Sequence, residues 1–173
     1  MTENTNPLNK YFRQPSIYVT LPSGASYPPH VLTPAQSGEI GIQPMTAKDE
    51  IRFKTPDALM NGEGVVEVIQ SCVPQIKDAW QVKSYDLDTL LIAIRIATYG
   101  ETMDFTFTVP GVNEKVTHSQ NLPAVLDQIK GTIIESEITL DDGLKIAVKP
   151  LTYKDMTSAS LQTFQQQKMY SAV

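Results

Sequence analysis

Thr20-Leu21-Pro22-Ser23-Gly24, followed later by Pro44-Met45-Thr46-Ala47-Lys48-Asp49, returns near the other end of the chain as Thr139-Leu140-Asp141-Asp142-Gly143 and Pro150-Leu151-Thr152-Tyr153-Lys154-Asp155. A short run of alternating apolar residues lies between the two motifs in each copy. The glycine suits the positive φ of a tight turn, and the alternation suits two short strands with one buried face. The threonine suits a helix N-cap, and the aspartate suits the first helical turn. The sequence therefore predicts two similar β-hairpin-plus-helix units, in residues 17–50 and 137–156.

The first unit differs from the second by an insertion between Gly24 and Glu39. Residues 22–37 are rich in proline, so we expect them to lack regular structure. A long excursion from a hairpin is often functional, which makes this loop a candidate for contacts with a partner.

Residues 1–15 form a polar N-terminal arm with an aromatic pair, Tyr11-Phe12. Two interpretations remain open: a free arm, or an arm that orders on a partner with Tyr11 and Phe12 as anchors. We expect residues 16–173 to form a single α+β domain.

Between the two units the pattern predicts a helical centre, residues 46–100, followed by a β-hairpin, residues 102–119. The most legible helix runs from Asp86, a plausible N-cap, to Gly100, a plausible C-terminal cap. Residues 102–109 alternate between apolar and polar side chains, which is typical of a half-buried strand. We expect a short helix over residues 122–129. A polar, glutamine-rich helix over roughly 152–170 has only a thin apolar seam, and such helices often pack on another chain.

Composition excludes several classes of protein. The charged fraction of 19% and the apolar fraction of 41% are ordinary for a globular protein, and the net charge of −5 with no basic stretch argues against a nucleic-acid partner. No apolar run approaches the ~20 residues of a membrane span, and the N-terminus lacks the apolar segment of a signal peptide. Cys72 is the only cysteine, so no intrachain disulfide can form, and we expect synthesis in a reducing compartment.

The sequence carries no recognisable reaction centre. Two histidines, His30 and His118, and one cysteine cannot close a metal site by themselves. Ser119 follows His118 on a predicted strand, where neighbouring side chains point to opposite faces. Asp141-Asp142-Gly143 lacks the spaced carboxylates of a calcium loop and favours a hairpin turn. We therefore predict that the protein is not an enzyme and has no cofactor; a small enzyme with a cryptic site is the remote alternative.

The order of motifs resembles the baseplate hub protein family of contractile-tailed bacteriophages of the T-even type. The resemblance covers most of residues 17–170 and lies in Tyr18-Val19-Thr20-Leu21-Pro22-Ser23-Gly24, Ile69-Gln70-Ser71-Cys72-Val73, Tyr85-Asp86-Leu87-Asp88-Thr89-Leu90-Leu91, Thr98-Tyr99-Gly100-Glu101, Pro150-Leu151-Thr152-Tyr153-Lys154-Asp155 and Phe164-x-Gln166-Gln167-Lys168. Some relatives carry a Cys-Pro-x-Cys-Gly zinc knuckle after the Tyr-Gly helix. The matching stretch here, Val109-Pro110-Gly111-Val112-Asn113-Glu114, has no cysteine. The resemblance thus implies a degenerate zinc-knuckle-like hairpin without metal, held by strand pairing and by the packing of Phe105 and Phe107.

The resemblance also implies a structural component of the phage tail baseplate, at or near the hub. Such a protein is made in the bacterial host cytoplasm and works in the virion by contacts with several other tail or baseplate proteins, without nucleic acid or membrane. A non-virion assembly factor or chaperone for the hub is the alternative. We expect partner contacts on the arm, the proline-rich loop and the last helix, at Tyr11, Phe12, Tyr27, Pro28, Phe164, Gln167 and Tyr170.

Overall fold

The structure is a computed structural model and describes residues 12–24, 26–33, 35–108, 111, 115–130 and 137–170. Within these residues the fold is α+β, as predicted, with six α-helices, one 3₁₀ helix (Ala79–Gln81) and three two-stranded antiparallel sheets. The strands are β1 (Ile17–Val19), β2 (Ile40–Ile42), β3 (Thr102–Thr108), β4 (Lys115–Asn121), β5 (Glu137–Thr139) and β6 (Lys145–Ala147). The α-helices are α1 (Ala47–Phe53), α2 (Pro56–Met60), α3 (Glu63–Cys72), α4 (Ser84–Tyr99), α5 (Leu122–Lys130) and α6 (Tyr153–Tyr170).

The hydrophobic core lies where the first hairpin meets α3 and α4. β1 pairs with β2 so that Val19 faces Ile40, and α4 contacts both strands. Apolar side chains from the hairpin and the two helices lose nearly all their exposure there, among them Ile40, Ile42, Ile69 and Leu90. Each such side chain contributes about 1.5–3 kcal/mol when fully buried, so this cluster is the main source of stability.

The proline-rich loop has the expected irregular backbone but takes part in the core. Val31 and Leu32 are each 2% exposed, and Leu32 forms an isolated antiparallel bridge with Ile76. The loop is therefore fixed on the domain at these two residues.

Helix α4 begins three residues earlier than the sequence indicated. Lys83 occupies the N-cap position without a side-chain cap, and Asp86 lies inside the first turn with no exposed surface. The predicted N-cap role of Asp86 is wrong, because its carboxyl group is taken by partners far away in sequence. Gly100 ends the helix with φ +94°, as expected for glycine.

We call β1 with β2, in the first unit, the first hairpin, and β5 with β6, in the second unit, the second hairpin. The second hairpin repeats the local geometry of the first. Ile138 faces Ile146 as Val19 faces Ile40, and the Gly143 N–H donates to the Leu140 carbonyl at 2.9 Å as the Gly24 N–H does to Leu21. The helix caps also correspond. The Thr46 hydroxyl donates to Asp49 Oδ2 at 2.8 Å and accepts from the Asp49 N–H at 3.3 Å, and Thr152 and Asp155 make the same bonds at 2.8 and 3.2 Å. Asp49, and not Glu50, closes the first capping box.

Helix α6 is joined to the domain at its start. The Ser84 N–H donates to the Leu151 carbonyl at 2.9 Å, and the Tyr153 N–H donates to the Val82 carbonyl at 2.8 Å. The ring of Tyr153 stacks on Trp80 with centroids 5.6 Å apart. Beyond this joint no residue of α6 is buried.

The third hairpin, β3 with β4, is longer and more exposed than predicted. It pairs from Thr102 with Asn121 to Thr108 with Lys115. Phe105 and Phe107 are 42% and 51% exposed, so the half-buried strand predicted from the alternation is wrong for these two residues. Pro110 and Glu114, in the stretch that matches the zinc knuckle of the relatives, lie outside the described residues.

We predict that Asp49→Asn destabilises the protein by about 1 kcal/mol near neutral pH, because it removes the charged acceptor that closes the capping box with Thr46 and pairs with Arg13. Burial alone would raise the pKa of Asp49, but hydrogen bonds from Thr46 and Ser71 and the charge of Arg13 outweigh it and lower that pKa. The stabilisation from a lowered carboxyl pKa is present above the unfolded value of about 3.9 and is lost as the pH falls through the folded value.

Urea unfolding of wild type and variant between pH 7 and pH 3 checks this prediction. The difference between the two proteins should shrink below about pH 4. Asp57→Asn, at an exposed position in the first turn of α2, is the matched control and should change stability little. A difference that stays constant with pH would contradict the assignment.

Candidate partner-binding surfaces

A buried carboxyl group fixes the proline-rich loop on helix α4. Asp86 Oδ2 accepts from the Tyr27 hydroxyl at 2.5 Å, and Asp86 Oδ1 accepts from the Ser23 N–H at 3.0 Å. The Tyr27 oxygen in turn accepts from the Lys83 N–H at 2.9 Å, so it satisfies one of the free donors at the start of α4. Burial, and then the hydrogen bond to Asp86, raise the pKa of Tyr27, so the phenol stays protonated. Tyr27, one of the predicted contact residues, thus has an internal bond in the free chain.

Beside this anchor lies an open groove of about 810 Å³ between the proline-rich loop and the second unit. Its walls come from residues 22–31, from the start of α4 and from residues 148–152. Pro28, another predicted contact residue, is exposed at its edge. The Lys83 side chain also lines the groove. Its ammonium group lies 4.9 Å from the centre of the Tyr27 ring and donates to the Ser26 carbonyl at 3.1 Å.

The last part of the N-terminal arm is attached to the core through Arg13. Its guanidinium donates to the Pro44 carbonyl at 2.6 Å and to the Ser71 hydroxyl at 3.0 Å, and it lies 3.6 Å from the Asp49 carboxylate. Phe12, directly before it, is 62% exposed. Tyr11, its predicted companion, lies outside the described residues. Phe12 is thus an exposed aromatic side chain next to a residue that is bound to the core, which fits the anchor role that we predict for it.

The other predicted contacts lie on α6. Phe164 is 48% exposed and Tyr170 is 82% exposed, and Gln167 is exposed between them. The structure therefore does not bring the described members of the predicted set into one site: Tyr27 and Pro28 line the groove, Phe12 precedes Arg13 in the arm, and the remaining three follow the last helix.

Sequence reasoning missed an exposed apolar surface on the second hairpin. Five side chains there are between 41% and 56% exposed: Ile138, Leu140, Leu144, Ile146 and Val148. The alternation of apolar residues indicates that all five lie on one face of the hairpin. The sequence analysis predicted that this face is buried, and that prediction is wrong. The signal that could have corrected this is the polar helix that follows, whose thin apolar seam is too narrow to cover them.

The described residues hold no group of three or more metal-ligating side chains. His30 lies exposed in the loop, and His118 lies exposed on β4 opposite Phe105. Burial raises the pKa of the Cys72 thiol to about 11, which makes it a poor nucleophile at neutral pH. Asp142 closes the hairpin turn by accepting from the Leu144 N–H at 3.0 Å.

Comparison with known proteins identifies one family. A family model described as T4 bacteriophage base plate protein matches residues 15–172. Neither the curated proteins nor the solved structures give a significant match. Of the helices that the structure describes, none combines the length and the apolar character needed to cross a membrane.

We predict that Tyr27→Phe destabilises the protein by about 2 kcal/mol, because it leaves the buried Asp86 carboxyl group without its side-chain donor. Urea unfolding followed by the fluorescence of Trp80 measures the change. Tyr18→Phe, at a side chain that is 63% exposed, is the matched control and should stay within about 0.5 kcal/mol of wild type. Equal stability of the two variants would show that the Tyr27 bond does not hold the loop.

Proposed function

Because the chain belongs to the T4 bacteriophage base plate protein family, and is thus a structural component of a phage tail baseplate, we propose that it lies at or next to the hub of that baseplate. The family match over residues 15–172 supports the baseplate role on which this proposal rests. The motifs that resemble hub proteins, quoted above from the sequence, give the finer position. The family points to a role without catalysis, and the protein acts by binding other baseplate proteins.

The distribution of exposed apolar side chains supports a role based on contacts with several chains. Phe12 lies in the arm, Phe105 and Phe107 lie on the third hairpin, and Phe164 and Tyr170 lie on α6. Aromatic side chains of this kind are frequent anchors of protein interfaces. Because these anchors lie on separate elements, we infer that more than one neighbour binds them.

We also propose that residues 16–173 act as one domain, with the residues before them as an arm. Two joints support this. The antiparallel bridge between Lys83 and Thr152 and the stack of Tyr153 on Trp80 tie the second unit to the start of α4.

The position in the virion can be tested by quantifying the protein in purified phage particles by mass spectrometry. A hub component should remain in washed particles in a fixed ratio to the other baseplate proteins. An assembly factor that leaves would appear in complexes with hub proteins in infected cells and be absent from washed particles, which would overturn the proposal.

We predict that the double variant Phe164→Ser with Tyr170→Ser folds normally but complements a phage lacking the protein at least tenfold less well than wild type. Each aromatic side chain contributes about 1.5–3 kcal/mol when buried in a partner, whereas neither is buried in the free chain. Plaque counts measure complementation, and circular dichroism verifies the fold. Gln162→Ser, an exposed substitution on the same helix, is the control. Full complementation by the double variant would exclude this end of α6 from partner binding.

A further inference from the structure

The second hairpin has one apolar side and one polar side. Ile138 and Ile146 are paired, so their side chains project from the same face, and strand alternation adds Leu140, Leu144 and Val148 to it. We call these five residues the open hairpin face. The opposite side carries an ion pair between Glu137 and Lys145, with the Lys145 Nζ 2.9 Å from Glu137 Oε1. A two-stranded hairpin in water is marginal on its own, and an uncovered apolar side makes it more so.

The first hairpin shows what covers such a face in this architecture. Its residues that correspond to Ile138, Leu140, Ile146 and Val148 are Val19, Leu21, Ile40 and Ile42, and none of these is more than 5% exposed. Helix α4 contacts both strands, and α3 completes the cluster. Since the strand register and the helix cap agree between the two units, the difference in burial lies in the elements that pack on each hairpin.

Helix α6, which follows the second hairpin, does not cover it. This helix packs mainly on the 3₁₀ helix and α4, and its exposed surface is largely polar and glutamine-rich, with only scattered apolar side chains. The α6 helix of a second copy would be equally unsuited. Two copies that pressed their open hairpin faces together would bury only a few hundred Å² per chain, whereas a stable interface takes roughly 800 Å² per partner. A helix from a larger protein can be held by further contacts at the same time.

We propose that the open hairpin face receives an amphipathic α-helix of a different baseplate protein. The helix presents apolar residues at positions i, i+3 or i+4, and i+7, and takes the position on the second hairpin that α4 takes on the first. This inference uses the family membership but not the hub position, so it applies equally to a virion component and to an assembly factor. Mass spectrometry of particles tests the latter distinction separately.

Site-specific photocrosslinking in infected cells identifies the occupant. The full chain carries p-benzoylphenylalanine in place of Ile146 or, as the matched control, of the adjacent Ala147 on the opposite side. We expect crosslinks from position 146 to a segment of another baseplate protein whose apolar residues recur every three to four positions, at least fivefold above position 147. Crosslinks to the same chain, crosslinks to a segment with strand-like alternation, equal yields at both positions or no crosslink at either would each overturn the proposal.

A binding measurement with the crosslinked segment as a synthetic peptide provides the second readout. The purified wild-type chain should bind the peptide and increase its helicity in circular dichroism. Ile146→Ser should weaken binding at least tenfold, whereas Ala147→Ser should leave it unchanged, with Trp80 fluorescence showing that both variants keep the fold. Equal affinity of the two variants, or binding without a gain in helicity, would contradict a helix on the open hairpin face.

Discussion

The buried Asp86 carboxyl group is the contact on which the arrangement of the other elements depends. It accepts from Ser23 in the turn of the first hairpin and from Tyr27 in the proline-rich loop, and Tyr27 accepts from Lys83 at the start of α4. A carboxyl group with no exposed surface is costly unless its oxygens are satisfied, so these donors must be in place for α4 to pack. The N–H of Ser84, next to Lys83, donates to the Leu151 carbonyl of the second unit. The start of α4 therefore links both hairpins and positions the groove between them.

Local patterns were sufficient to predict the elements. The central helix, the three hairpins and both helix caps were identified from turn glycines, alternation and capping residues, because each of these features is set by neighbours in sequence. The errors concern side chains whose partners are distant. Asp86 looks like an N-cap because it precedes an apolar run, yet its donors lie 63 and 59 residues away. No local signal distinguishes a capping aspartate from one that is buried by tertiary contacts.

The candidate surfaces could be predicted only in part. Exposed residues on α6 followed from its polar composition, and Phe12 from its place in the arm. The exposure of Phe105, Phe107 and the open hairpin face did not follow, because alternation shows that one side of a strand is apolar and not that the same chain covers it. In a protein that works alone, an apolar strand face is normally covered by the same chain. In a component of an assembly it can stay uncovered, and it is then available to a neighbouring chain.

The two units illustrate this separation within one chain. They share a glycine turn at the end of their first strand, a strand register and a capping box. The first hairpin is nevertheless buried, whereas the apolar face of the second is exposed. The insertion between Gly24 and Glu39 accounts for part of the contrast. It supplies Val31 and Leu32 to the core and Tyr27 to Asp86, and so fixes the first hairpin on α4. The second hairpin has a short turn and no such attachment. The second unit keeps the strand register and the helix cap of the first but lacks the insertion, so its apolar face stays exposed. The same local fold can therefore be buried in one unit and offer a surface to a neighbour in the other.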